Sequence, residues 1–208
     1  MNTALKTLTI TAALAATLGL AGCASDSGSA PTGGSSMSGM DHGSSPMTSM
    51  MPDANADYNA ADTMFAQMMI PHHAQAVEMS GIVLGKQDVP AEVTALATRI
   101  KEAQGPEIEK MTGWLESWGQ PTMMPTDSGH GMSGMVDAAG MEELKAAPGP
   151  EAAKLFLEQM IMHHEGAVEM AQQEIGAGKN ADAVQLGRDI VTAQQAEIAE
   201  MKELLAKL

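Results

Sequence analysis

The chain has six histidines, and four of them stand as two adjacent pairs, His72-His73 and His163-His164. Each pair lies in a near-identical stretch. Met69-Ile70-Pro71-His72-His73-Ala74-Gln75-Ala76-Val77-Glu78-Met79 is matched by Met160-Ile161-Met162-His163-His164-Glu165-Gly166-Ala167-Val168-Glu169-Met170 at an offset of 91 residues, counted from His72 to His163. Imidazole binds Cu, Zn, Fe and Ni, whereas a thioether suits Cu(I) and little else that is commonly available. Imidazoles and thioethers at helical spacing therefore point to soft-metal sites, with copper first. His72 and His163 fall on the inner stripe of their helices, with Met69, Met79, Met160 and Met170. His73 and His164 lie about 100° around the helix from them.

A second shared element follows each pair. Ala103-Gln104-Gly105-Pro106-Glu107-Ile108-Glu109-Lys110-Met111 matches Ala193-Gln194-Gln195-Ala196-Glu197-Ile198-Ala199-Glu200-Met201 at an offset of 90 residues, counted from Gln104 to Gln194. It adds Met111 to the first half and Met201 to the second. Glu107 and Glu197, or Glu78 and Glu169, could orient a histidine by accepting its N–H. Methionine on a helix stripe also fills cores, but duplicated adjacent histidines are harder to explain as packing. The expected metal set is His72, His73, Met79, Met111, His163, His164, Met170, Met201, Met69 and Met160, with copper as the ion.

Other chemistries lack their parts. A di-iron bundle needs Glu-x-x-His on two helices, and no Glu is followed by His three residues later. His164-Glu165 leads into Gly-Ala-Val, so His-Glu-x-x-His is missing too. No Gly-rich phosphate loop follows a strand, and no Ser or Cys nucleophile has a supporting motif. The one cysteine, Cys23, excludes a disulfide framework within the chain. Binding rather than catalysis is the expected activity. A metal-dependent oxidase on the same ligands, or an envelope protein that binds no metal, are the alternatives.

The elements that must position these residues are helices. Aromatics are 2% of the chain, methionines number 20, and the hydrophobic fraction of 44% is enough for one core. Few β-branched or aromatic residues disfavour sheet; Ala, Met, Leu, Glu and Gln favour helix. Helices are expected over about 54–85, 90–118, 150–176 and 181–207. Pro71 and Gly105-Pro106 interrupt the first two patterns, and Pro71 should kink its helix at the histidines. Asp88 or Val89 should lead in the second helix, and Asn180 should cap the fourth. Each half then reads as a helical hairpin that cannot bury its apolar face alone, so two hairpins should stack as a four-helix bundle. A thin, Ala-rich core makes self-association an expectation.

Residues 1–22 read as an export signal, with Lys6 ahead of the uncharged run Leu8 to Leu20. Leu20-Ala21-Gly22-Cys23 resembles the bacterial lipoprotein cleavage box, which implies a lipid on Cys23 and a membrane-anchored protein of the cell envelope. Residues 23–53 have the composition of a flexible Ser/Gly/Met tether, and 119–149 form a second low-complexity stretch with room for a short helical turn near Met141 to Ala146. Both hold Met and His at spacings suited to thioether capture of Cu(I): Met37, Met40, His42, Met47, Met50 and Met51 in the first, Met123, Met124, His130, Met132, Met135 and Met141 in the second. The formal net charge of −15 becomes −16 once Lys6 leaves with the signal. That makes nucleic acid an improbable partner and a cation a plausible one.

Met-x-x-His-His-x-x-Ala-Val-Glu-Met, repeated, with Gln-x-x-Glu-Ile-x-x-Met after each copy, resembles the bacterial DUF305 family over roughly residues 54–208. The resemblance implies a ferritin-like four-helix arrangement in an exported protein. It implies copper binding for some relatives, at the His-His and Met positions. Pro71 faces Met162 across the repeat, so unequal halves are expected.

Overall fold

Asn59 starts the first helix. Its side chain accepts the amides of Ala61 and Asp62, and Asp62 returns the bond by accepting the Asn59 amide at 2.6 Å, a complete capping box. The computed structural model describes residues 56–123 and 132–208. Cys23, the tether methionines and His42 lie outside the described residues, as do Met124 and His130. The described part is all-α: α1 Ala60–Leu84, α2 Ala91–Ser117, α3 Ala138–Ala146, α4 Gly149–Ala177 and α5 Ala181–Leu205. None of these helices is long and apolar enough to cross a membrane.

α1 continues unbroken through Pro71, and α2 through Pro106. Asn180 caps α5 as its type predicts, accepting from Asp182 and Ala183. Asp88 does not cap α2. It takes a left-handed conformation (φ 61°) in the turn, and Pro90 occupies the cap position with no side-chain bond. That turn is packed tightly against the start of α4: a Cβ on Gly149 would stand 1.9 Å from the Gln87 carbonyl oxygen. α3 is the larger departure from expectation. Asp137 caps it by accepting the Gly140 amide at 2.8 Å, and Met141 and Leu144, three residues apart, are buried. Met141 is therefore core, not part of an open collector.

The core falls into two clusters. One holds Met79, Val83, Leu96, Ile100, Leu144, Phe156, Leu157, Met160 and Met201. The other holds Phe65, Met69, Met111, Leu115, Ala167, Met170, Leu186 and Ile190. Their membership fixes the helix directions. α1 enters the second cluster first and α2 the first, so the two are antiparallel; α4 and α5 reverse that order and are antiparallel to each other. α1 and α4 are the central, antiparallel pair, α2 packs on α1, α5 packs on α4, and α2 and α5 scarcely touch. Arg99 and Glu200 form an exposed ion pair between those outer helices. The two hairpins are thus stacked through α1 and α4, with the repeated histidines at their crossing.

The end of the bundle near Asn59 is closed by a carboxylate. Asp62, fully buried, accepts the amides of Lys179 and Asn180 at 3.0 and 2.9 Å and so ties the start of α1 to the α4–α5 turn. Beside it lies Glu174, 1% exposed. Burial, and then the adjacent Asp62, push the Glu174 carboxyl up to about 8.

Candidate metal centre

All four paired histidines are buried, none more than 1% exposed. They form a layer between the two core clusters. His72 of α1 and His163 of α4 meet ring to ring across the helix crossing, with centroids 3.7 Å apart and planes tilted by 35°. His163 and His164 have centroids 6.3 Å apart. His73 and His164 turn outward to the second helix of their own hairpin. His73 Nε2 donates to Glu107 Oε2 at 2.8 Å, and His164 Nε2 donates to Glu197 Oε2 at 2.8 Å. Of the two carboxylate pairs open from sequence, the structure selects Glu107 and Glu197. Glu78 instead pairs with Lys145, and Glu169 is exposed.

These bonds set the tautomers. A carboxylate or carbonyl oxygen can only accept, so Nε2 of His73 and His164 carries the hydrogen, and Nδ1 carries the lone pair. The same holds for His72, whose Nε2 donates to the Ser133 carbonyl oxygen at 3.2 Å. Nδ1 of all four rings, and Nε2 of His163 as well, have no hydrogen-bond partner: five buried ring nitrogens in one layer. An unpaired buried polar atom costs about 1–3 kcal/mol. Five together leave several donor atoms of one layer without partners, and a lone pair on a carboxylate-oriented imidazole is a donor that a metal ion can use. Burial, then the neighbouring His73, hold His72 down at about 3; burial, then His72, hold His163 down at about 2. Both rings are neutral at pH 7, so no proton needs to leave before they can bind a metal.

The methionines sit on either side of this layer. Met69, Met111 and Met170 belong to one core cluster, and Met79, Met160 and Met201 to the other. Because α1 and α4 are antiparallel, the methionine before one His pair shares a cluster with the methionine after the other. The structure thus places the four histidines in a single layer shared by both hairpins, flanked by two methionine trios. Among the described residues, no three His, Cys, Asp or Glu side chains stand close enough together to hold a metal ion as they are placed. The tilted rings of His72 and His163 lie against each other, so a metal ion could be shared between them only if the rings turned about their side-chain torsions.

A loop covers the layer. Residues 132–136 cross α1 and α4, and Gln75 clasps them by accepting from the Val136 amide and donating to the Val136 carbonyl, both at 2.8 Å. On α4 the loop lies directly on the backbone: a Cβ on Gly166 would stand 2.0 Å from the Ser133 oxygen. At Gly134, with φ 80°, an added Cβ would likewise collide with the Met162 carbonyl oxygen, at 2.5 Å. Gln75 and Gly166 occupy the same repeat position. Neither they nor Ser133 stood out from residue type, although 74–75 and 165–166, with 71 and 162, are where the copies differ. Met132 and Met135, in this loop, are half-buried, and Met123 is exposed.

A buried histidine layer at the crossing of two duplicated hairpins defines the class. The family model "Domain of unknown function (DUF305)" matches residues 62–205, and the chain belongs to this family. A DUF305 protein from Streptomyces coelicolor described as secreted is 38% identical, with 71% of this chain and 91% of that chain covered and a TM-score of 0.66. A DUF305 fragment from Deinococcus radiodurans is 33% identical over 72% of this chain and 98% of that one, again at 0.66. CopM in its Cu(I)-bound form is 29% identical over 70% and 96%, with a TM-score of 0.61. No curated protein matches the chain.

Proposed function

We propose that this is an extracytoplasmic copper-binding protein that holds copper on the central histidine layer and passes it on, contributing to copper tolerance. One observation carries the reading: five buried imidazole nitrogens without partners, in rings oriented by Glu107, Glu197 and Ser133. The likeness to CopM, solved with copper bound, supports the choice of metal. The imidazoles supply ligands for Cu(I) and Cu(II) alike, and the flanking thioethers favour Cu(I). The lipid on Cys23 would keep the protein at the membrane, and the Met-rich tether would collect metal for the tighter site. The activity is retention and transfer, without turnover; oxygen consumption on adding Cu(I), above that of free copper, would contradict this.

The test is metal analysis of the full chain from copper-supplemented cells, followed by Cu(I) titration against a chelator. The variant with His72, His73, His163 and His164 all changed to Ala should lose most of the high-affinity binding. Unchanged affinity in that variant would sink the assignment.

A further inference from the structure

A second group of thioethers lies apart from the histidine layer, at the Asn59 end of the bundle. Met64 and Met68, one turn apart on α1, face Met170 of α4 across a surface cavity of about 170 Å³, with Glu174 also in its wall. Packing does not account for Met64, which is 44% exposed in the middle of a helical turn. Glu174 is 1% exposed, no N–H reaches either of its oxygens, and its carboxyl is hydrogen-bonded to Asp62 alone. Its neighbour is Asp62, whose carboxylate is already engaged by the amides of Asn59, Lys179 and Asn180. Three thioethers and one buried carboxyl group therefore line a single opening.

We propose that this cavity is a second soft-metal site, binding a monovalent cation such as Cu(I) or Ag(I) through Met64, Met68 and Met170, with Glu174 becoming the anionic ligand as it gives up its proton. Thioethers select a soft ion, and the carboxylate left by that proton offsets its charge where water is scarce. The repeat supplies an internal control. At an offset of 91 residues, Met64, Met68 and Glu174 correspond to Leu155, Gln159 and Val83, and only Met170 keeps its type, as Met79. A packing role that followed from the fold would have been duplicated with the fold. The donor set occurs at one end alone. Met68 and Met170 also pack into the core cluster of Met69 and Met111, which adjoins the histidines. Met68 and Met170 thus join this cavity to the core cluster that holds two of the methionines beside the central layer. The inference does not depend on that layer binding copper.

The test is titration of the full-length chain, carrying ¹³C-methyl methionine and ¹⁵N-histidine, with silver nitrate, Ag(I) being a soft monovalent ion. The Met64, Met68 and Met170 methyl signals should move together with one common endpoint. In the double variant Met64→Leu/Met68→Leu, which keeps the apolar bulk, the affinity read at Met170 should fall about tenfold or more, with the helical circular dichroism unchanged. Glu174→Gln should weaken the same transition. Met64 and Met68 signals that stay still while those of Met69 and Met111 move would overturn the site, as would Met64 and Met68 moving with separate endpoints or an unaltered affinity in Glu174→Gln. The imidazole ¹⁵N signals report the central layer separately, so failure of one site is distinguishable from failure of the other.

Discussion

The two hairpins place equivalent histidines in unequal surroundings. His73 and His164 are true counterparts, each donating at 2.8 Å to the glutamate of the adjacent helix. His72 and His163 are not. The loop at 132–136 gives His72 the Ser133 carbonyl and leaves His163 with both ring nitrogens unpaired. The same loop uses one repeat position in two ways, hydrogen-bonding to Gln75 on α1 and lying flat on Gly166 of α4. Duplication thus supplies a two-fold frame, and the insert between the copies breaks it. The difference teaches that the outward pair is the conserved-geometry part of this chain's repeat, and that the inward pair is where the halves were made distinct.

Acid should disturb both halves at once and have the largest effect. His72 and His163 sit at about 3 and about 2 in the folded chain against 6.5 when exposed. The unfolded state therefore takes up protons first, and stability present above pH 6.5 drains as the pH falls toward 3. A denaturant midpoint for the metal-free protein that is the same at pH 7 and pH 4 would contradict neutral, buried rings. Glu174 acts in the opposite sense: raised to about 8, it contributes stability that is full below 4.5 and lost as the pH rises through 8. Glu174→Gln should flatten that alkaline loss.

The outward pair offers the test of symmetry. Glu107→Ala and Glu197→Ala should each lower Cu(I) affinity by roughly 10–100-fold, the usual effect of removing a carboxylate behind a metal-bound histidine. Chelator competition giving equal losses would support a shared layer; a loss confined to one variant would mean that a single hairpin binds. Gly166→Ala tests the asymmetry. Its Cβ would press on the Ser133 oxygen, so the loop must lift, at a cost of about 1–3 kcal/mol. Gly113→Ala on α2, where a Cβ meets nothing within 4 Å, should instead stabilise by about 0.5–1 kcal/mol. Thermal unfolding of the pair reads the contrast. Gln75→Ala has a similarly small predicted effect, about 1 kcal/mol for the lost clasp, visible as faster amide exchange at Val136. An exchange rate that does not change would mean that the loop is held on α4 alone.

Much of the architecture was legible in the chain. Apolar residues at spacings of three and four placed four helices, with observed bounds within a few residues of those expected except at the start of α1, Ala60 rather than about 54. Asn180 and the repeated His-His and Gln-x-x-Glu elements read true because caps and periodicity are local. α3 was legible only as a short turn, since nine residues with two inward side chains hardly rise above a Gly-, Pro- and Ser-rich background. The candidate residues were also nameable in advance, as were the two possible carboxylate pairs. Their grouping was not.

Residue type and spacing alone determined that this chain is helical, duplicated, poor in thiol and equipped with soft donors on one helical face. Tertiary structure decided what those donors make together. The antiparallel crossing of α1 and α4 puts Met69 with Met170 and Met160 with Met79, brings the His72 and His163 rings against each other, and lays an insert loop across one side of them. Spacing along a helix specifies a face, but only packing specifies what the face meets.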